Sequence, residues 1–157
     1  MSMPATDAGF PRTGRLAGID YGTVRIGVAV TDPGQRLASP LVNYTRRNLA
    51  ADAAWIRQLA ADERIAGFVI GLPVHTSGQE SQKSAEAREF GRWLAEQTGL
   101  PIAYFDERYT SLHAEALLQE AGLTSKRRKQ RLDKLAAQIM LAAFLESSRS
   151  GSEPGAL

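Results

Sequence analysis

The sequence has no cysteine, only two histidines and no long apolar run, and each absence argues against a class of protein. Without cysteine, disulfide bonds and cysteine-ligated zinc sites are excluded, as is typical of a protein of the reducing cytoplasm. The scarcity of histidine means that a metal ion would be held mainly by oxygen ligands, which favours magnesium or manganese. No run of about 18 apolar residues predicts a membrane span. We also expect no secretory signal, because the N-terminus lacks a charged start followed by an apolar centre.

Charge of one sign is not in excess either. The net charge of +2 is too small to indicate a nucleic-acid partner by itself. An apolar content of 43% and a charged content of 23% are typical of globular proteins. We therefore predict a single domain at residues 14–148. Disordered tails are expected at 1–13 and 149–157, where glycine, proline and small polar residues follow no periodic pattern.

Periodicity predicts an α/β protein. The expected elements are strands near 15–20, 26–31, 36–44, 66–71 and 102–105 and helices near 50–62, 82–98, 111–122 and 125–148. The first three strands form an antiparallel meander, and two strand–helix units follow. This order predicts a five-stranded mixed sheet with helices on both faces. In such sheets, binding sites form at the carboxyl ends of the parallel strands.

Acidic residues fall where this sheet could bring them together. Asp20 ends the first strand, Asp106 and Glu107 end the fifth, and Asp133 lies near the apolar face of the last helix. Carboxylates at one site repel one another unless cations neutralise them. Two magnesium ions about 3.5–4 Å apart would do so and would support in-line phosphoryl displacement. Each acid also has a structural interpretation: a turn residue, a solvated pair of Glu107 with Arg108, or a favourable charge near a helix start.

Cations are clustered beside Asp133. The basic segment comprises Lys126, Arg127, Arg128, Lys129, Arg131 and Lys134. Cations near a helix start oppose the helix dipole, which favours phosphate binding over a merely solvated face. Arg46 and Arg47 add a second basic pair.

The loop at residues 71–80 opens at the same predicted edge. Gly78, with Thr76 and Ser77, could bring backbone donors to a phosphate, and a flexible connector is an equal alternative. His75 could transfer a proton, although a single loop histidine is more often incidental.

Four motifs, in this order, resemble the YqgF/RuvX family of RNase H-like proteins. They are GIDYGTVRIGVAVTD, VIGLPVHTSGQES, FDERYTS and LDKLAAQIMLAAFL, and the match spans roughly residues 15–146. The resemblance implies an RNase H-like fold and a divalent-metal nuclease. Its implied role is maturation of the 5′ end of 16S ribosomal RNA, or resolution of Holliday junctions. It also implies that Asp20, Glu107 and Asp133, with Asp106 beside them, hold Mg²⁺ or Mn²⁺.

This resemblance also implies nucleic acid as the partner, either precursor ribosomal RNA or branched DNA, with ribosomal particles as a further partner. The basic segment would hold the phosphate backbone, together with Arg25 and Arg108. Val24 stands in a turn where many family members have a basic residue, which could weaken one phosphate contact.

Two other functions remain open. The stretch Asp20-Tyr-Gly-Thr23 also resembles the first phosphate loop of the actin and sugar-kinase superfamily, which would make the protein an ATP-binding phosphotransferase. Those proteins clamp ATP between two such domains, and 157 residues supply one. The other alternative is a non-catalytic RNA-binding module that has kept the fold.

Overall fold

The computed structural model describes residues 9–73, 81–107 and 125–149, with side chains of the last helix described at 135–147. The strands are β1 (Arg15–Asp20), β2 (Arg25–Thr31), β3 (Ala38–Thr45), β4 (Ile65–Leu72) and β5 (Ile102–Asp106). The helices are α1 (Leu49–Asp62), α2 (Gln82–Thr98) and α3 (Ser125–Arg149). All of these elements were predicted, with bounds within two residues. The helix predicted at 111–122 lies outside the described residues.

The strands form one mixed sheet in the order β3-β2-β1-β4-β5. The β1–β2 and β2–β3 pairs are antiparallel, whereas the β1–β4 and β4–β5 pairs are parallel. The predicted meander followed by parallel strands is thus confirmed. Because β1, β4 and β5 run in the same direction, their carboxyl ends meet at one edge of the sheet, which we call the carboxyl edge.

Helices cover both faces of the sheet, because alternate residues of each strand point to opposite sides. From β1, Ala17 and Ile19 pack in a core with α1 and α2, on what we call the α1–α2 face. Leu16 packs in a second core with α3, on the α3 face. Gly18 shares the α3 face, and a Cβ there would lie 2.9 Å from the Cβ of Leu141. The missing side chain lets α3 pack closely on β1.

The starts of α1 and α2 are capped by polar side chains. Asn48 Oδ1 accepts the N–H of Ala51 at 2.8 Å, the bond that is typical of an N-cap residue. Ser81 Oγ accepts the N–H of Ser84 at 3.0 Å and donates to the carbonyl of Pro73 at 2.9 Å. The second bond joins the start of α2 to the chain just after β4, so α2 begins beside the carboxyl edge.

The packed part of the chain begins nearer to the N-terminus than the sequence indicated. The ring of Phe10 meets that of Phe144 edge-on, with centroids 5.9 Å apart. The carbonyl of Pro11 accepts a hydrogen bond from the side chain of Gln35 at 3.2 Å. The tail predicted as disordered at 1–13 is therefore too long, because Phe10 has an apolar site to fill. Residues 1–8 and 150–157 lie outside the described residues. None of the helices described is long and apolar enough to cross a membrane.

Candidate active site

Asp20 ends β1 at the carboxyl edge and is on the α3 face. Because side chains alternate between the two faces along a strand, Asp20 points to the same face as Gly18, against which α3 packs. Ile19 is paired with Ile70 of β4, so the next residues of the two strands, Asp20 and Gly71, lie side by side. Gly71 is in turn paired with Phe105 of β5. Asp20 thus has a side-chain-free neighbour on the central parallel strand.

The Glu107 side chain fills the space above Gly71. A Cβ on Gly71 would lie 2.6 Å from Oε2 of Glu107 and 2.9 Å from its Cδ. Only glycine leaves room for this approach, since real Cβ atoms essentially never come within 3.0 Å of another heavy atom. The Glu107 side chain, which follows β5, therefore reaches over β4. Its carboxylate lies above Gly71, the neighbour of Asp20.

Its surroundings disfavour the charged form of Glu107. Burial raises the pKa of its carboxyl, and the negative charge of Asp106 raises it further. The Lys83 ammonium on α2 acts in the opposite direction and lowers the pKa. A carboxylate in this position is stabilised by a nearby cation. Its oxygens and those of Asp20 are the ligand type that Mg²⁺ and Mn²⁺ prefer, so the donor set fits either ion.

Asp106 lies on the other face of the sheet. It is paired in register with Leu72, which belongs to the core on the α1–α2 face, and paired residues share a face. Asp106 is therefore separated from Asp20 by the sheet itself. Its described effect on Glu107 is through charge.

The backbone at Asp133 belongs to α3, and its side chain is outside the described set. Ala137 lies four residues later, about 6 Å along the helix. It is fully buried, and its carbonyl oxygen is 3.3 Å from the position of a Cβ on Gly18. The small side chains of Gly18 and Ala137 therefore let α3 approach β1 closely. Among the side chains described, no three acids or histidines are grouped so that they could together hold a metal.

The other predicted site residues are described only in part. The basic segment is helical in its backbone, and its side chains are outside the described set. Arg108 and the loop with His75 and Gly78 also lie outside it. Arg25 begins β2 and is exposed.

A cleft of about 260 Å³ opens next to Asp20, and we call it the turn cleft. It lies between the β1–β2 turn, the end of β4 and the first turns of α2. Its lining residues are Tyr21, Gly22, Thr23, Val24, Arg25, Pro73, Lys83, Glu86 and Ala87.

Sequence reasoning missed the role of Arg46, which it had placed with the basic residues. Its guanidinium donates to the Tyr21 hydroxyl and to an Asp52 carboxylate oxygen, each at 3.2 Å. It also lies over the rings of Tyr21 and Phe90, 5.5 and 5.6 Å from their centroids. Because Tyr21 follows Asp20 directly, Arg46 holds the turn that leaves the site.

Asp52 completes this network from the first turn of α1, where it is 2% exposed. It accepts bonds from the Tyr44 hydroxyl at 2.7 Å and the Arg47 N–H at 3.0 Å. Burial alone would raise the pKa of Asp52, but the bonds from Arg47, Tyr44 and Arg46 outweigh it and lower the pKa. A signal was available: Asp52 shares an apolar helix face with Ile56, just as Asp133 shares one with Ala137.

Comparisons with known proteins agree with this architecture. The family model described as "RuvX: Holliday junction resolvase" matches residues 14–147. A protein of Rhodopirellula baltica, provisionally named pre-16S rRNA nuclease, is 50% identical over 155 residues, covering 96% of this chain and 90% of that protein. A protein of Rhodobacter capsulatus with the same provisional name is 42% identical over 139 residues, covering 88% and 87%.

Among solved structures, the RuvC of Thermus thermophilus in complex with a Holliday junction substrate superposes with a TM-score of 0.54. The identity is 15%, and the match covers 88% of this chain and 96% of RuvC. A further structure of the same RuvC gives a TM-score of 0.51. At this identity the likeness concerns the fold alone, and it confirms the predicted RNase H-like fold.

Proposed function

The chain belongs to the RuvX family, and from that premise we propose that it is a divalent-metal nuclease that hydrolyses phosphodiester bonds at the carboxyl edge. One observation carries the proposal. The Glu107 carboxylate lies over Gly71, the neighbour of Asp20, and burial raises its pKa. Two acids that extend from neighbouring strand ends can share a bound cation, and their oxygens suit Mg²⁺ or Mn²⁺.

In this proposal Asp20, Glu107 and Asp133 hold the metal. A bound metal pair supplies an activated water and stabilises the leaving oxygen. The role of the protein itself is to fix the positions of the ligands. Asp20 and Glu107 extend from neighbouring strand ends, whose hydrogen bonds limit their movement. Asp106 acts on Glu107 through its charge and is not a ligand.

The substrate we favour is precursor 16S ribosomal RNA, because the two relatives are provisionally named for it. The protein would then act in the cytoplasm and meet ribosomal particles. Branched DNA is the second candidate, since the family description names Holliday junctions. The domain at 14–148 would hold either phosphate backbone through the basic segment, with Arg25 and Arg108.

The test is cleavage of labelled precursor ribosomal RNA, single-stranded RNA and a four-way DNA junction, with Mg²⁺, Mn²⁺ or a chelator. We expect metal-dependent cleavage of one substrate, reduced at least about 100-fold by Asp20→Asn or Glu107→Gln. Asp62→Asn is the matched control, because Asp62 is an exposed carboxylate at the end of α1.

The alternatives have their own outcomes. Binding of RNA without cleavage under any metal would favour the non-catalytic module. ATP hydrolysis in the absence of nucleic acid would favour the phosphotransferase. Cleavage that survives Asp20→Asn would contradict the proposed site.

A further inference from the structure

We propose that the turn cleft binds the nucleotide next to the scissile phosphate in an unpaired strand, with Lys83 contacting its phosphate. This subsite rests on the proposed nuclease function and adds to it a binding residue, Lys83, and a preference for unpaired substrate.

The position of the turn cleft supports the first step. Its walls begin at Tyr21, directly after Asp20, and at Pro73, directly after β4. The cleft therefore opens at the same strand ends as the two carboxylates, but on the α1–α2 face, to which Tyr21 and Ala87 belong. A strand that crosses the carboxyl edge, with its reacting phosphate at Asp20 and Glu107 on the α3 face, would place its adjoining nucleotide in the cleft.

Lys83 links the cleft to the carboxylates. It is exposed on the first turn of α2 and lines the cleft. The start of α2, two residues before Lys83, is joined to the end of β4 by the bond of 2.9 Å from Ser81 Oγ to the carbonyl of Pro73. Lys83 therefore stands at the carboxyl edge, on the wall of the cleft.

The charge of the cleft favours an anion. Arg25 lines it from β2 and Lys83 from α2, whereas Glu86 is the one acid among the described residues that line it. A cation in the first turn of a helix opposes the helix dipole, so the position of Lys83 costs stability. A phosphate would be stabilised by Lys83 and by the helix start together.

The size of the cleft limits what can enter. Its volume of about 260 Å³ lies below the range of about 300–1,000 Å³ that is typical of small-molecule pockets. One nucleotide unit fits such a space better than a duplex does. Val24, 63% exposed, offers apolar surface to a sugar or base in the strand. The cleft therefore favours an unpaired strand.

The test measures binding by the Asp20→Asn protein, with fluorescence anisotropy of labelled single-stranded RNA and DNA of one sequence, about ten nucleotides long. Each phosphate contact contributes about 0.7 to the salt slope of single-strand binding, which is about fourfold in affinity at about 0.15 M salt. We expect Lys83→Ala to lower the slope by about 0.7 and affinity about fourfold, on RNA and DNA alike. Lys83→Arg should restore both.

Arg57→Ala is the matched control. It removes one exposed cation from α1, where Arg57 donates to Gln97 near the other end of α2. Equal unfolding midpoints would show that the variants are folded. The Asp20→Asn protein without a second substitution is the parent. If the parent binds nucleic acid but Lys83→Ala changes affinity and salt slope no more than Arg57→Ala does, the subsite is wrong and the nuclease proposal stands.

Three more outcomes separate the claims. If the parent binds no nucleic acid, the result contradicts the proposed nuclease function itself, and the subsite falls with it. A loss confined to RNA or to DNA would overturn the phosphate contact, because both strands carry the same phosphate. An equal loss on a blunt duplex of the same sequence would overturn the preference for an unpaired strand.

Discussion

Gly71→Ala tests the proposed site without touching a ligand. The new Cβ would lie 2.6 Å from Oε2 of Glu107, whereas ordinary contacts begin near 3.4 Å. The carboxylate would have to move by about 0.8 Å, the difference between these distances. A misplacement of about 1 Å can cost about 100-fold in rate, so we expect kcat to fall by roughly that factor.

The stability of the fold should change much less. Overpacking costs about 1–3 kcal/mol where the neighbours are rigid, but here the neighbour is the end of a side chain that can rotate. We therefore expect Gly71→Ala to lower the free energy of unfolding by no more than about 1 kcal/mol. The assays are single-turnover cleavage and urea unfolding of the same preparations.

Gly67→Ala is the matched control on the same strand and face. Its Cβ would meet the ring of Phe10 and Pro11 at 3.2 Å, far from the carboxyl edge. We expect a modest loss of stability and an unchanged rate. If Gly71→Ala cleaved at the normal rate, catalysis would not depend on the observed place of Glu107. If Gly67→Ala lost as much activity, the effect would belong to the strand and not to the carboxylate.

The remaining predictions concern packing beneath the site. Asp52→Asn should lower the free energy of unfolding by about 2–3 kcal/mol at pH 7, because it weakens charge-assisted bonds from Arg46 and Tyr44. Because the folded-state pKa of Asp52 lies below its ordinary value of 3.8, the carboxylate's contribution is present above that pH and lost as pH falls through the folded-state pKa. The difference from wild type in urea unfolding should therefore shrink at pH 3, and a constant difference would contradict this. Gly18→Ala should cost about 1–3 kcal/mol by pushing Leu141 and α3 away from β1, and an unchanged unfolding midpoint would refute that packing.

Local patterns predicted the elements well, because the signals that define them are local. Alternation gave β1 and β2, and Asn48 marked the start of α1 through its own side chain. The position of Asp20 at the carboxyl edge followed from these strands and the rule for parallel sheets. Phe10 was missed because a single aromatic residue before the first strand carries no periodic signal.

Contacts between distant segments could not be predicted in this way. Arg46 reads as a basic residue next to Arg47, and nothing local shows that its guanidinium meets Tyr21, 25 residues earlier. The partner of Arg46, Asp52, is six residues away, but their bond depends on how β3 enters α1. A charged side chain used inside the fold and one that binds phosphate look alike until the packing is known.

The choice between Asp106 and Glu107 shows how register decides chemistry. The two acids are adjacent in sequence, so their composition and charge cannot tell which belongs with Asp20. The pairing of Asp106 with Leu72 gives Asp106 the α1–α2 face, and the next residue returns to the α3 face. There Glu107 meets Gly71, a position with no side chain to block it. A shift of one residue in the β4–β5 register would exchange the two acids, so the proposed metal site depends on strand pairing as much as on the presence of carboxylates.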